Sequence, residues 1–180
     1  MRLLIASDLH GSELTCEQLL RRFHEEGAEK LLFLGDVLYH GPRNDLPEGY
    51  RPKGVIPQLN EVADKMLCVR GNCEAEVDQM VLEFPVLADY IMLELDGITV
   101  FATHGHIYNE ANLPALPPGA VLLHGHTHLH ALEPRGRYTY INPGSVTLPK
   151  GGNPKTYMIY ENRRFELKTL EGELLETLEL

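Results

Sequence analysis

The sequence has no hydrophobic run longer than a β-strand. Stretches such as Leu3 to Ala6 and Leu31 to Leu34 fall far short of the roughly 18 apolar residues that a membrane span requires. The apolar stretch near Met1 is too short for a secretion signal and runs straight into Ser7-Asp8, so a cytoplasmic protein is expected. Cysteine is scarce: Cys16, Cys68 and Cys73 are odd in number and lack C-x-x-C spacing. That excludes both a disulfide framework and a thiolate zinc site. Positive charge is also short, with 16 Lys and Arg against 26 Asp and Glu and a formal net charge of −10. A broad surface for nucleic-acid backbones needs clustered cations, so none is expected. Part of the acidity falls in the tail, at Glu171, Glu173, Glu176 and Glu179, which reads as a solvated edge. Neither an internal repeat nor a low-complexity segment interrupts the chain.

What remains is an ordinary globular mix, 43% hydrophobic and 23% charged over 180 residues. One domain spanning 1–180 is the simplest division, and a chain of this length buries about 70% of its unfolded surface. Nine histidines are more than the length normally carries, and several are bunched.

The first half reads as α/β. Leu3 to Ser7 is a buried strand, followed by a polar loop and a helix over about Glu13 to Glu26. Leu19, Leu20 and Phe23 recur there at helical spacing between a Ser12 cap and a Gly27 stop. Lys30 to Leu34 is the next strand, and this order implies a right-handed crossover with parallel pairing. Val37 to Gly54 is a long loop rich in Pro and Gly, a length usually reserved for lining a site. A short helix near Val55 to Ala63 precedes a strand at Met66 to Arg70. The second half is richer in antiparallel β. Asp96-Gly97 between alternating apolar runs marks a hairpin. Strands are expected at Ile98 to Thr103, Ala120 to His124, Arg137 to Ile141, Tyr157 to Tyr160 and Arg163 to Leu167.

Five times an apolar strand ends in a polar tip: Ser7-Asp8-Leu9-His10, Gly35-Asp36, Gly71-Asn72-Cys73-Glu74, Thr103-His104-Gly105-His106 and Gly125-His126-Thr127-His128. Ligands of open α/β sheets gather beyond the carboxyl ends of strands, so these tips can converge. Two carboxylates, one amide and several imidazoles suit manganese, iron, zinc or nickel rather than calcium. Seven ligands of these kinds are too many for one ion and fit two ions sharing a carboxylate. Two ions about 3.5–4 Å apart can share a hydroxide nucleophile and clamp a phosphoryl group for in-line displacement.

The order Asp-x-His, Gly-Asp, Gly-Asn, His, Gly-His-x-His resembles the calcineurin-like metallophosphoesterase superfamily. Gly-Asn-Cys at 71–73, Asn142-Pro143-Gly144-Ser145, the run from Gly41 to Tyr50 and the run Pro149 to Pro154 look more narrowly like bacterial phosphodiesterases of the YfcE type. The likeness covers most of the chain and thins after about Tyr160. It implies a four-layer α-β-β-α sandwich of two facing mixed sheets flanked by helices. It also implies a ligand division in which Asp8, His10, Asp36 and His128 hold one ion. Asp36, Asn72, His104 and His126 hold the other, with Asp36 as the bridge. Asp36, Asn72 and His104 are then the residues closest to catalysis. Many superfamily members carry His after the Asn as an acid or phosphate contact. Here Cys73 stands in its place, with Glu74 at the Asp position that orients such a His.

Arg43, Asn44, Cys73 and His106 are the candidate substrate contacts. Arg43 is named for the fit of guanidinium to phosphate. His124 reads as core, His24 and His130 as surface, and Lys150 to Asn153 as either the cleft rim or a subunit contact. The function expected is a metal-dependent phosphoester hydrolase, foremost a phosphodiesterase on a small substrate. The cofactors are two divalent ions per chain, with manganese foremost and iron, zinc, nickel or magnesium as alternatives. A homo-oligomer is compatible with this reading. The alternatives are a phosphomonoesterase on nucleotides or phosphoproteins, and a protein-binding scaffold like the retromer subunit of the same fold. The complete ligand set separates the enzyme from the scaffold.

Overall fold

The computed structural model describes all of residues 1–180. Its first strand β1 (Leu3–Ala6) lies at the middle of a six-stranded sheet. The helix α1 (Glu13–Glu25) follows, starting where the Ser12 side chain accepts from the Thr15 N–H and stopping at Gly27, whose φ is +62°. Strands β2 (Lys30–Phe33) and β3 (Met66–Cys68) add in parallel, with Leu3 opposite Lys30 and Leu31 opposite Met66. Between them lies α2 (Pro52–Asn60), which begins three residues before the expected Val55. Pro52 and Arg51 open it, and proline is pre-set for a first helical turn. A short α3 (Glu76–Gln79) follows β3.

The remaining strands are β4 (Tyr90–Leu95), β5 (Ile98–Thr103), β6 (Ala120–Leu123), β7 (His130–Pro134), β8 (Tyr138–Pro143), β9 (Thr156–Glu161), β10 (Arg164–Thr169) and β11 (Leu174–Glu179). The first sheet has the order β11-β10-β9-β1-β2-β3, and the second β4-β5-β6-β8-β7. Both are mixed. Strand β9 runs antiparallel to β1, while β5, β6 and β8 run parallel to one another between antiparallel edges. The Asp96-Gly97 hairpin has φ of +51° and +78°, the two-residue turn whose twist suits a hairpin.

Alternate residues along β1 divide the interior. Leu4 and Ala6 face Cys16, Leu19 and Phe23 of α1 and Val55 and Leu59 of α2. Leu3 and Ile5 face the second sheet, where Val100, Ala102, Val121, Leu123 and Ile141 meet them. The mixed α/β class and the two facing sheets stand as expected. Helices α1 and α2 both pack on the first sheet. On the outer face of the second, Phe101, Leu122 and Tyr140 are covered by Tyr108 and Leu116 from the long connection between β5 and β6.

Candidate metal centre

The carboxyl ends of β1, β2, β3, β5 and β6 point to one edge of the sandwich. The loops after β1 and β2 run side by side there: Asp8, His10 and Gly11 donate their N–H groups to the carbonyls of Gly35, Asp36 and Val37 at 3.1, 2.9 and 2.8 Å. Gly35, at φ +89°, lets the tip after β3 come close as well, because a Cβ there would collide with the Gly71 backbone. Glu74 then ties three tips together. Its carboxylate accepts from the N–H groups of Gly71 (2.5 Å), Asp36 (2.9 Å) and Val37 (2.7 Å). The oxygens expected to orient a side chain at position 73 instead hold backbone.

Five of the seven candidate ligands, Asp8, His10, Asp36, His126 and His128, have φ between +50° and +66°. Such left-handed backbone costs a non-glycine residue on the order of 1–3 kcal/mol, and Asp and His tolerate it better than most.

Three imidazoles are anchored through Nδ1, each donating to a carbonyl: His10 to Tyr39 (2.9 Å), His104 to Leu34 (2.6 Å) and His128 to Leu148 (2.5 Å). That leaves Nε2 as the atom each ring presents to the site. His10 and His128 bring their Nε2 atoms within 3.3 Å of one another, and within 3.6 and 3.3 Å of Asp8 Oδ1. His10 and His104 Nε2 lie 3.7 and 3.5 Å from Asp36 Oδ2. His104 Nε2 is also 3.2 Å from Asn72 Oδ1 and 3.1 Å from His126 Nδ1. The seven predicted ligands therefore come together, with Asp36 between two groups.

The electrostatics favour a cation. Asp8 is fully buried, and its Oδ1 has no hydrogen-bond partner. Burial alone would raise its pKa, yet the His10 and His128 imidazoles hold it well below the usual carboxylate range. Burial pulls His10 down, but the Asp8 carboxylate prevails and raises it. Burial and then His104 lower His126 to about 4, so its ring is neutral near pH 7 and free to ligate. A fully buried carboxylate oxygen without a donor, among imidazole nitrogens aimed inward, fits a divalent ion. The mixed oxygen and nitrogen donors fit a borderline or hard metal.

A cleft of about 380 Å³ opens above. His10, Asp36, His126 and His128 line it, and Arg43 and Asn44 reach it from the long loop after β2. Cys73 is there too, its thiol pushed up by burial and then by Asp36. Asn44 spends one amide hydrogen on the His40 carbonyl, at 2.8 Å. His106 is beside the other rings, with centroids 5.4 Å from His104 and 6.3 Å from His126, but outside the residues lining the cleft. His124 is buried as expected; His24 is exposed and His130 partly so. Lys150 and Thr127 also line the cleft. Beneath it, Ser145 Oγ donates to the Asp8 carbonyl at 2.9 Å, and Asn142 Nδ2 donates to the Gly125 carbonyl at 2.9 Å. The Asn-Pro-Gly-Ser run stood out only as a point of family likeness and did not announce these contacts.

Two facing mixed sheets that gather carboxylates and imidazoles at their strand ends define a metal-dependent hydrolase of phosphoesters. The chain belongs to the calcineurin-like phosphoesterase superfamily, whose domain matches residues 1–164. It is 52% identical to "Phosphodiesterase YfcE" of Escherichia coli strain K12 over 162 residues, 90% of this chain and 88% of the relative. A solved structure of that E. coli phosphoesterase superposes with a TM-score of 0.96 at 48% identity, covering 99% of this chain and 98% of the other. Vacuolar protein sorting 29 from Cryptosporidium parvum shares the fold, with a TM-score of 0.63 at 16% identity over 99% and 98% of the two chains.

Proposed function

We propose that the chain hydrolyses small phosphodiesters with two divalent ions, manganese foremost. Asp8, His10, Asp36 and His128 would hold one ion, and Asp36, Asn72, His104 and His126 the other. The observation that carries this reading is the inward convergence of Nε2 atoms whose rings are anchored outward through Nδ1. Ions held there supply Lewis acidity to the phosphoryl oxygens and to the attacking water. The protein's own part is to fix the ligands, through the carbonyls of Tyr39, Leu34 and Leu148, and to place Arg43 on the wall of the cleft.

Cys73 fits the diester reading. Burial and Asp36 keep its thiol protonated, so it is not a thiolate nucleophile. It is also a weak hydrogen-bond donor, and no better acid lines the cleft at that position. Diesters whose leaving groups need little protonation suit such a site, and the 52% identity to a phosphodiesterase supports the same class. Manganese-loaded protein should hydrolyse bis(p-nitrophenyl) phosphate with a kcat/KM at least about tenfold above that for p-nitrophenyl phosphate, a margin of about 1.4 kcal/mol in transition-state binding. A preference for the monoester would overturn the assignment.

A further inference from the structure

The cleft contains more positive charge than a simple diester can use. Arg43 and Lys150 both line it, and neither side chain has a carboxylate or hydrogen-bond partner, although the chain is strongly acidic. Asp36 is the only carboxylate among the lining residues, and it is buried. Hydrogen bonds fix the backbone from which each cationic side chain starts. The Arg43 turn is closed by the Asn44 N–H donating to the Gly41 carbonyl at 3.3 Å, with the Asn44 amide on the His40 carbonyl. Lys150 donates its N–H to the carbonyl of His128 at 3.1 Å, so its stem starts beside a candidate ligand. The chemistry of the rest of the lining is equally specific. No Phe, Tyr or Trp lines the cleft, and its apolar lining is confined to Pro42 and the Cys73 side chain. Apart from the imidazoles of the candidate ligands, a base or aryl group would find neither a stacking surface nor an apolar wall there.

Resting on the phosphodiesterase reading, we infer that Arg43 and Lys150 form a second anion subsite. The substrate class is then a phosphodiester whose non-reacting part is small, polar and carries a further phosphate or carboxylate. The reacting phosphate occupies the buried end of the cleft, and the second anion meets the two unpaired cations. Exposed ion pairs are worth about 0.2–1 kcal/mol each, and two at about 0.5–0.7 kcal/mol, the middle of that range, together give roughly five- to tenfold.

The test compares propyl p-nitrophenyl phosphate with 3-phosphonopropyl p-nitrophenyl phosphate, which share leaving group and chain and differ in the second anion. In the manganese-loaded protein, kcat/KM should be about five- to tenfold higher for the phosphonate-bearing diester, and the advantage should shrink with added salt. In the double variant R43A/K150A the ratio of the two should fall to about one, and in Lys150→Glu below one. Binding gives a second readout. By calorimetry, 1,3-propanediphosphonate should bind the protein more tightly than propylphosphonate, and the double variant should lose that difference. A wild-type ratio near one with both diesters turned over would overturn the subsite, as would a preference that survives the double substitution. If neither diester is turned over, the phosphodiesterase reading has failed. The calorimetric difference and its loss in the double variant then decide the subsite by themselves.

Discussion

Asp36 carries the heaviest demand of any single side chain. It is buried, its Oδ2 faces both His10 and His104, and its Oδ1 accepts from the Cys73 N–H at 3.0 Å. Asp36→Asn keeps the shape but removes the charge that two dications would share. Activity should fall by at least about 100-fold, and metal analysis should show loss of more than one ion's worth of affinity. Near wild-type turnover would end the bridging assignment. The candidate ligands were legible in the sequence because each ends an apolar strand in a polar tip, five times in succession. Glu74 was not legible in its actual role. The resemblance put it at the position whose Asp orients a His that is absent here, and it grips three backbone N–H groups, a task that no residue type announces. Ser145 under the Asp8 carbonyl is hidden for the same reason.

The junction between α1 and the first sheet depends on one carboxylate. Glu26, just past the end of α1, accepts from Arg2 (2.8 Å), the Tyr157 hydroxyl (2.8 Å) and Lys168 (2.6 Å), and its side chain is only 12% exposed. These partners belong to the start of the chain, β9 and β10. Burial works against the Glu26 charge, but Lys168, Tyr157 and Arg2 outweigh it and lower the pKa. A lowered folded-state pKa adds stability above the unfolded value, near 4.3, and loses it as pH falls through the folded value. Glu26→Gln should therefore cost about 1–3 kcal/mol at pH 7. Denaturant melts of the two proteins should draw together below about pH 4. Equal stabilities at pH 7 would show that the cluster contributes nothing. At this scale α1 was readable from its cap, its stop and its apolar spacing. Strands β7 and β11 were not: both lie at sheet edges and are largely exposed, so no apolar alternation marks them. The acidic tail expected to be a solvated edge is a paired strand, and its Glu173, Glu176 and Glu179 stand on or beside an outer strand that charge protects from further pairing.

Across the whole molecule, the candidate metal centre joins the two sheets. Asp8, His10, Asp36 and Asn72 come from the ends of the first, His104, His126 and His128 from the ends of the second. An ion bound only by the folded protein stabilises it by mass action, about 2.7 kcal/mol at 100 times its Kd. Calorimetric scans should therefore show a Tm that rises with manganese and falls back on chelation, saturating at two equivalents by elemental analysis. Saturation at one, with full activity, would refute the paired site. The facing-sheet arrangement was expected from the family resemblance. The resemblance also implied helices on both outer faces; Tyr108 and Leu116, which cover the second, sit instead in a connection with no regular period for the sequence to show.

The central place of β1 also sets an order of events when the chain is made. It is the first strand to appear and pairs on one side with β2, yet its other neighbour is β9, Thr156–Glu161. At a synthesis rate of about 5–20 residues per second, that flank stays open for roughly 8–30 s. The candidate ligand set is complete only once His128 has emerged. The nascent chain thus carries an incomplete chelate up to that point, and an unpaired hydrophobic strand until β9 follows it.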